Sequence, residues 1–354
     1  MNESSLPHSK EISLADIDEV LRVALDVRRL SSEIAEFTRK DPEVAILHSK
    51  TSILQVPPSQ IQSGTTPYID AVKSVWEGAR FLGCRIGFVS EKQIMAGKLD
   101  EIKLFIIPAT KYIIPEVVTE LRKYINKGGT VVIIPESFIF DQYARENNHI
   151  ADFGIKINNV TLPVVLGQAD KNQNYDQSFS QPLLYGEVLK KITCNNEDIF
   201  SESKTPLVLF SDGLVQNIDP GSNKILARFD DGNPAIVLIK QGRGSVYYLA
   251  APFKSADYHQ LLEPLARLAG LNRPLLGIGK NGQLVTGAEV RAVDRGFDYL
   301  VYASNLTSEP VEFNLVGAGK MTSVLDLRSL TELSGTHIKL NPYQETIFKV
   351  AKSR

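Results

Sequence analysis

Between Lys103 and Ser137 two short runs of branched aliphatics bracket one segment of helical period, and this restricts the fold more than any other stretch of the chain. The runs are Leu104-Phe-Ile-Ile107 and Thr130-Val-Val-Ile-Ile134. Uninterrupted apolar runs of this length fit strands covered on both faces, and a helix between them makes the parallel crossover unit. Pro115 stands where a helix can begin, because its fixed backbone angle suits the first turn and its missing donor would be unpaired there. Val117, Val118, Leu121, Tyr124 and Ile125 recur at spacings of three and four and predict one buried face. Lys127, Gly128 and Gly129 end the helix with a cation at its negative end and residues free to take positive φ.

Extending outward, the same grammar repeats. A long amphipathic helix is predicted from about Ser13, with a capping box at Ser13-Leu-Ala-Asp16 and Ile17, Leu21, Ala24, Leu25, Ile34 and Phe37 on one side. A buried strand follows at Glu43–His48, then a long loop over Ser49–Pro67, a helix at Tyr68–Leu82, a strand at Gly83–Ser90 and a short helix at Glu91–Gly97. Strand and helix alternate from 43 to 137, which predicts an open parallel sheet with helices on both faces, flavodoxin-like or Rossmann-like. Asn147–Ser180 is polar and reads as an excursion from the sheet. Strands at 207–210, 225–229, 235–239 and 245–249 then precede a helix at Ala256–Ala269, and Gly242-Arg-Gly244 predicts a tight hairpin. Beyond Pro274 short alternating strands at 283–285, 289–293, 297–303, 311–315, 323–327, 337–340 and 346–350 predict an all-β sandwich. The expected organisation is a helical segment at 1–42, an α/β domain at 43–275 and a β-sandwich at 276–354.

Composition narrows the function. Lys and Arg number 39 against 41 Asp and Glu, a net charge of −2 with no basic cluster, so nucleic acid is not expected as a partner. Cys84 and Cys194 are too few for a disulfide framework. The histidines, His8, His48, His149, His259 and His337, have no ligand spacing, and no metal is expected. Neither a signal-peptide pattern nor a run of membrane-spanning length is present. The expectation is a soluble protein without a membrane partner, its compartment open: cytoplasmic, or periplasmic or secreted if it is part of a longer precursor.

In an open parallel sheet the ligand crevice lies beyond the carboxyl ends of the strands. Those ends supply His48, Glu91, Lys111 beside Thr110, and Glu136 with Ser137 as candidate crevice residues. A histidine and carboxylates on one rim suit acid–base work. The same residue types also stand wherever strands meet water. Neither a dinucleotide nor a phosphate-loop glycine pattern is present, nor a Gly-x-Ser-x-Gly elbow, so no cofactor is expected. Cys84 precedes its strand and reads as a small core residue, as does Trp76 on its helix.

These residues resemble a known family. Val44-Ala-Ile-Leu-His-Ser-Lys-Thr51, preceded by Leu14-Ala-Asp-Ile-Asp-Glu-Val-Leu-Arg22, is similar to the passage from the catalytic barrel of family 42 glycoside hydrolases, the bacterial β-galactosidases, into their second domain. Leu104–Pro108, the helix to Lys127, Gly128–Pro135 and Gly242–Leu249 resemble that second domain, a relative of class I glutamine amidotransferases known as the trimerisation domain. The closing strands look like the small β domain that ends those enzymes. The resemblance spans about 13 to 354 and rests on hydrophobic patterns and glycines.

Two departures shape what the resemblance implies. The family's catalytic glutamates sit in a (β/α)₈ barrel, for which there is no room before Glu43, so no catalytic residue is carried over. An active amidotransferase would need a cysteine after the strand ending at Pro135. This chain has Glu136-Ser137-Phe138 there, and no His-x-Glu follows Leu249. The resemblance therefore implies a non-catalytic accessory region of a β-galactosidase-like glycoside hydrolase in carbohydrate metabolism. Its partners would be copies of itself, a trimer by family resemblance, or a catalytic barrel domain. The alternatives are an amidotransferase-like hydrolase using the rim crevice, and a carbohydrate-binding module in which Tyr299 and Tyr302 stack on sugar.

Overall fold

The structure is a computed structural model that describes residues 14–39, 41–56, 66–161, 190–194, 198–200, 207–211 and 214–353. The predicted cap at Ser13, His8, and parts of the 49–67 loop and the 147–180 excursion lie outside these residues. The chain divides into two compact units. The β unit comprises the N-terminal helices with 274–283 and 290–354, and the α/β unit comprises 41–273 with 284–289. Among the described residues, no helix is long and apolar enough to cross a membrane.

The N-terminal helices are α1 (Leu14–Arg29) and α2 (Ser31–Arg39), separated by the single turn residue Leu30. In the α/β unit come β1 (Val44–His48), α3 (Lys50–Leu54), α4 (Pro67–Ala79), β2 (Ile86–Ser90), α5 (Glu91–Met95), β3 (Leu104–Ile107), α6 (Pro115–Asn126) and β4 (Thr130–Ile133). Then follow β5 (Lys156–Thr161), β6 (Lys191–Cys194), β7 (Val208–Phe210), β8 (Val215–Asp219), β9 (Lys224–Phe229), β10 (Pro234–Gln241), β11 (Gly244–Leu249) and α7 (Ser255–Leu268).

Among the described residues nine strands make one sheet in the order β2-β1-β3-β4-β11-β10-β9-β6-β7. From β2 to β11 every pairing is parallel, including β4 with β11. From β11 outward every pairing is antiparallel. The open parallel sheet expected from sequence is thus only half of the sheet. The two-residue turn Gly242-Arg243 reverses the chain between β10 and β11, and the short return between β9 and β10 makes that pair antiparallel as well. Helix α4 packs against α7 and α5 against α6.

The founding unit matches its sequence reading closely. All of β3 is buried, as are Val117, Val118, Leu121, Tyr124 and Ile125 of α6. Tyr124 Oη also donates to the Ile102 carbonyl at 2.9 Å, satisfying a polar tip in an apolar seam. Two glycines are required by close approach. A Cβ on Gly129 would stand 2.3 Å from the Tyr124 ring, and one on Gly244 would stand 2.1 Å from the Ile125 carbonyl oxygen. β11 can therefore start directly against the end of α6.

Elsewhere the structure departs from expectation. The 49–67 segment, expected as a loop, opens with helix α3, capped by the Ser49 hydroxyl accepting from Ser52 N–H. The polar excursion contains β5, which pairs antiparallel with β8. Cys194 ends β6 inside the large sheet, and burial pushes its thiol up to about 12.

The β unit holds β12 (Leu275–Ile278), β13 (Ala288–Asp294), β14 (Asp298–Asn305), β15 (Val311–Gly317), β16 (Met321–Asp326), β17 (Thr331–Leu333), β18 (His337–Leu340) and β19 (Glu345–Lys352). They form a three-stranded sheet, β12-β15-β18, and a five-stranded sheet, β13-β14-β19-β16-β17. The predicted strand at 283–285 is absent, and 275–278 forms one instead. Helix α2 packs here. Leu30 is buried with Leu300 and Ile347, and Phe37 meets Tyr302 edge-on at 6.2 Å. Asp26 of α1 pairs with Arg328 at 2.7 Å, and Arg29 donates to the Leu327 and Arg328 carbonyls.

Candidate site at the carboxyl rim of the parallel strands

The in-register pairing of β2, β1, β3 and β4 brings their carboxyl ends to one rim. Each candidate residue lies there, but the roles differ. His48 ends β1 with its side chain exposed. Its neighbour Ser49 is fully buried and joins a hydrogen-bond network that the sequence did not suggest.

That network centres on Glu91. Oε1 accepts from Ser49 Oγ at 3.0 Å, and Oε2 accepts from Thr51 N–H at 3.1 Å and Thr51 Oγ1 at 2.8 Å. The carboxylate, only 5% exposed, thus holds the first turn of α3 onto the start of α5. Negative charge at that end of α3 also suits its unpaired N–H groups. Ser52 extends the lattice: its Oγ donates to the Tyr112 carbonyl at 2.9 Å and accepts from Tyr112 N–H at 3.2 Å. Tyr68 Oη donates to the Leu47 carbonyl at 2.8 Å and accepts from Ser49 N–H at 2.7 Å. Glu91 is therefore a fastener of the rim, because a base whose oxygens already hold three donors must first break them.

Ser137 is similarly committed. Its Oγ donates to the Ile134 carbonyl at 2.7 Å and accepts from Thr110 N–H at 3.1 Å, while Phe138 N–H donates to the Thr110 carbonyl at 2.7 Å. These bonds fix the turn after β4 against the turn after β3. Among the described residues no proton acceptor is placed to activate the hydroxyl, whose hydrogen bonds there go to backbone carbonyl and amide groups.

Glu136 is the unusual member. It lies in the left-handed region at φ 64°, as does Phe138 at φ 64°, so a three-residue turn holds two non-glycine residues in a disfavoured conformation. Such strain persists only where its surroundings enforce it. Burial raises the Glu136 carboxyl above its usual range, and the nearby positive charge of Lys111 opposes this in part. Lys111 lies over the Phe140 ring, 5.6 Å from its centre, and Phe140 stacks on Tyr112 at 5.4 Å.

Behind this turn stands Tyr248, whose hydroxyl donates to Gln216 Oε1. Burial, and secondarily the charge of Glu136, raise the Tyr248 phenol. Gln216 is 1% exposed and its Nε2 has no hydrogen-bond partner among the described residues. Sequence reasoning missed Ser49, Thr51, Tyr68, Gln216 and Tyr248, which carry no motif and come together only through the sheet. No nucleophile with an adjacent base accompanies Glu136 among the described residues.

The other candidates fall into structural roles. Tyr299 is buried, donating to the Ala318 carbonyl at 2.8 Å beneath the Lys352 ammonium, and Tyr302 packs on Phe37. Tyr299 therefore presents no face for a sugar. His149 Nδ1 lies 3.1 Å from Asp152 Oδ2. His259 is buried in α7 with its ring edge-on to Phe81 at 5.9 Å. Among the described residues no group of three or more His, Cys, Asp or Glu could hold a metal ion. In the β unit a cavity of about 360 Å³ lies among Val23, Val27, Leu30, Ile34, Phe37 and Tyr302.

No family model and no curated protein matches this sequence. Solved structures do match in fold. Gan42B, a GH42 β-galactosidase from G. stearothermophilus, aligns with a TM-score of 0.70 at 16% identity, covering 98% of this chain and 45% of that one. The β-galactosidase from Bacillus circulans sp. alkalophilus aligns at 0.65 and 17%, covering 93% and 45%. An exo-carrageenase GH42 from Bacteroides ovatus aligns at 0.55 and 18%, covering 96% and 33%. The chain thus spans less than half the length of these proteins, and its fold is one found within GH42 chains.

Proposed function

We infer that this chain is a non-catalytic, glycoside-hydrolase-related scaffold: an amidotransferase-like α/β layer and a β-sandwich whose work is assembly beside a catalytic barrel domain. The observation that carries this reading is the alignment of 98% of the chain onto 45% of a β-galactosidase, so that almost everything here corresponds to only part of such an enzyme. The rim supports it too, since Glu91 and Ser137 are spent on holding turns together. The test is an assay of the purified chain against chromogenic galactosides and algal and plant oligosaccharides. The expected result is no turnover, and turnover that survives purification to homogeneity rejects the scaffold reading.

A second reading has one specific observation in its favour. Glu136 combines a strained backbone with a carboxyl held toward its neutral form beside Lys111, and perturbed groups in strained turns are over-represented at sites of chemistry. If the chain is an enzyme, Glu136 supplies the proton. Loss of any observed turnover in Glu136→Gln, with turnover retained in His48→Gln, would favour that reading over the scaffold.

A further inference from the structure

The turn after β12 carries the chain's one Asn-Gly pair, Asn281-Gly282. Gly282 takes φ 77°, and beyond its chain neighbours no heavy atom lies within 4 Å of where its Cβ would be. The peptide nitrogen that follows Asn281 is therefore screened by no side chain. The Asn281 carboxamide is exposed yet held. Its Oδ1 accepts from Gln283 N–H at 3.1 Å, and its Nδ2 donates to Gln283 Oε1 at 3.3 Å. A side-chain oxygen bonded to the amide two residues on folds the carboxamide back along its own backbone, which brings Cγ alongside the Gly282 nitrogen. The same donor polarises the Cγ carbonyl in the sense that stabilises negative charge developing there. Electrophile and nucleophile are thus neighbours before any reaction. The remaining obstacle is the bond from Gly282 N–H to the Gly279 carbonyl at 3.0 Å.

We propose that Asn281 is a self-modification site, converted through a cyclic imide to aspartate and isoaspartate. The Gly282 nitrogen gives up its proton to hydroxide and forms a bond to Asn281 Cγ; the bond from Cγ to Nδ2 breaks, and Nδ2 leaves as ammonia with a proton from water. Water then opens the imide at either carbonyl, giving the aspartyl or the isoaspartyl chain, and nothing is oxidised or reduced. Other positions lack the arrangement. Asn305 is 1% exposed, spends its Nδ2 on the carbonyls of Glu309, Leu340 and Asn341, and precedes the bulky Leu306. Asp231 also precedes a glycine, but its carboxylate is held by Lys190, and a carboxylate resists attack by an amide nitrogen. The product at 281 sets a new negative charge beside Lys280, whose ammonium lies 2.7 Å from Glu312. Isoaspartate also adds a methylene to the backbone of a turn that Gly279 N–H closes on the Gln283 carbonyl at 2.9 Å. The chain passes from the β unit to the α/β unit directly after Gln283, so this mark of age falls at the passage.

The proposal stands on this turn alone and goes beyond the scaffold reading, so the glycosidase assay and the following measurement fail independently. The folded full chain is incubated at mildly alkaline pH in heavy-oxygen water, then digested in acid in ordinary water and mapped by mass spectrometry. The peptide holding Asn281 is expected to gain the amide-to-acid mass with heavy oxygen in it and to separate into aspartyl and isoaspartyl forms on chromatography. Its conversion is expected to quicken as hydroxide rises and to run ahead of that at Asn305. Asn281→Gln is expected to lose the conversion at this position. Gly282→Ala, whose methyl group crowds the attacking nitrogen, is expected to slow it severalfold. Asn281 intact in the folded chain while the chain in urea converts it, an aspartyl product without its isoaspartyl partner, or an unchanged rate in Gly282→Ala overturns the proposal.

Discussion

His259 makes the stability of the α/β unit depend on pH in a way that can be worked out beforehand. The ring is 7% exposed, lies edge-on to Phe81, and hydrogen-bonds to the backbone of Gly78, where α4 and α7 cross. Nδ1 has no partner among the described residues, so a proton added there would be buried without an acceptor. Burial, reinforced by the positive charge of Arg273 and opposed by the Gly78 bond, lowers the imidazole from 6.5 to about 4. The unfolded chain therefore binds a proton that the folded chain refuses at any pH between those values. Stability is complete above about 6.5, falls as the pH drops below it, and stops falling near 4. At about 1.4 kcal/mol per unit the whole effect is on the order of 3 kcal/mol, of which about 2 kcal/mol is lost between pH 7.5 and 5.

The assay is urea unfolding followed by Trp76, the single tryptophan, which lies on α4 with the Arg80 guanidinium 4.5 Å from its ring centre. Carboxylates also titrate in acid, so the quantity to read is the difference between the unsubstituted chain and His259→Gln. The variant keeps an amide at the site and has nothing to protonate. The difference in unfolding free energy should shrink by about 2 kcal/mol from pH 7.5 to 5. Parallel pH profiles for the two proteins would refute the account of a buried neutral imidazole.

Three further outcomes are expected. Gly244→Ala places a methyl group 2.1 Å from the Ile125 carbonyl oxygen, which neither backbone can yield easily, and should cost about 3 kcal/mol in the same urea titration; an unchanged midpoint would contradict the close approach of β11 to α6. Glu91→Ala strands the Ser49 and Thr51 donors at the start of α3 and should cost about 2–4 kcal/mol, with faster amide exchange over 49–54; exchange unchanged there would contradict the fastening role. Phe37→Ala removes the ring that meets Tyr302 and should destabilise the β unit by about 3 kcal/mol while leaving the Trp76 transition in place; loss of both transitions together would contradict the division into two units.

How much was legible in the chain depended on whether the signal was local. The β3–α6–β4 unit was readable because branched runs, Pro115 and Gly128-Gly129 each report on their own few residues. The antiparallel half of the large sheet was not, since the strands β9, β10 and β11 read as apolar whichever way they run, and only the Gly242-Arg243 turn betrays a reversal. In the same way the apolar period of α1 was plain but its direction was not: a stripe facing outward has the same spacing as one facing a core. At the rim, strand ends gave the positions of Glu91, Glu136 and Ser137. Their roles came from partners such as Ser49, Thr51 and Thr110, which polar side chains alone do not announce. The left-handed backbone of Glu136 had no glycine to signal it.

The seam between β4 and β11 has a cost in time. Thr130 finds its neighbour Ser245 more than a hundred residues later in the chain. On a ribosome adding about 5–20 residues per second, the open side of β4 waits on the order of ten seconds for the strand that covers it. Until then Thr130–Ile133 presents an unpaired ladder of apolar residues, the kind of edge that recruits strands from other chains. A polypeptide cut short anywhere between Ile133 and Gly244 would keep that edge permanently, so aggregation, more than loss of any one contact, is what such a truncation would bring.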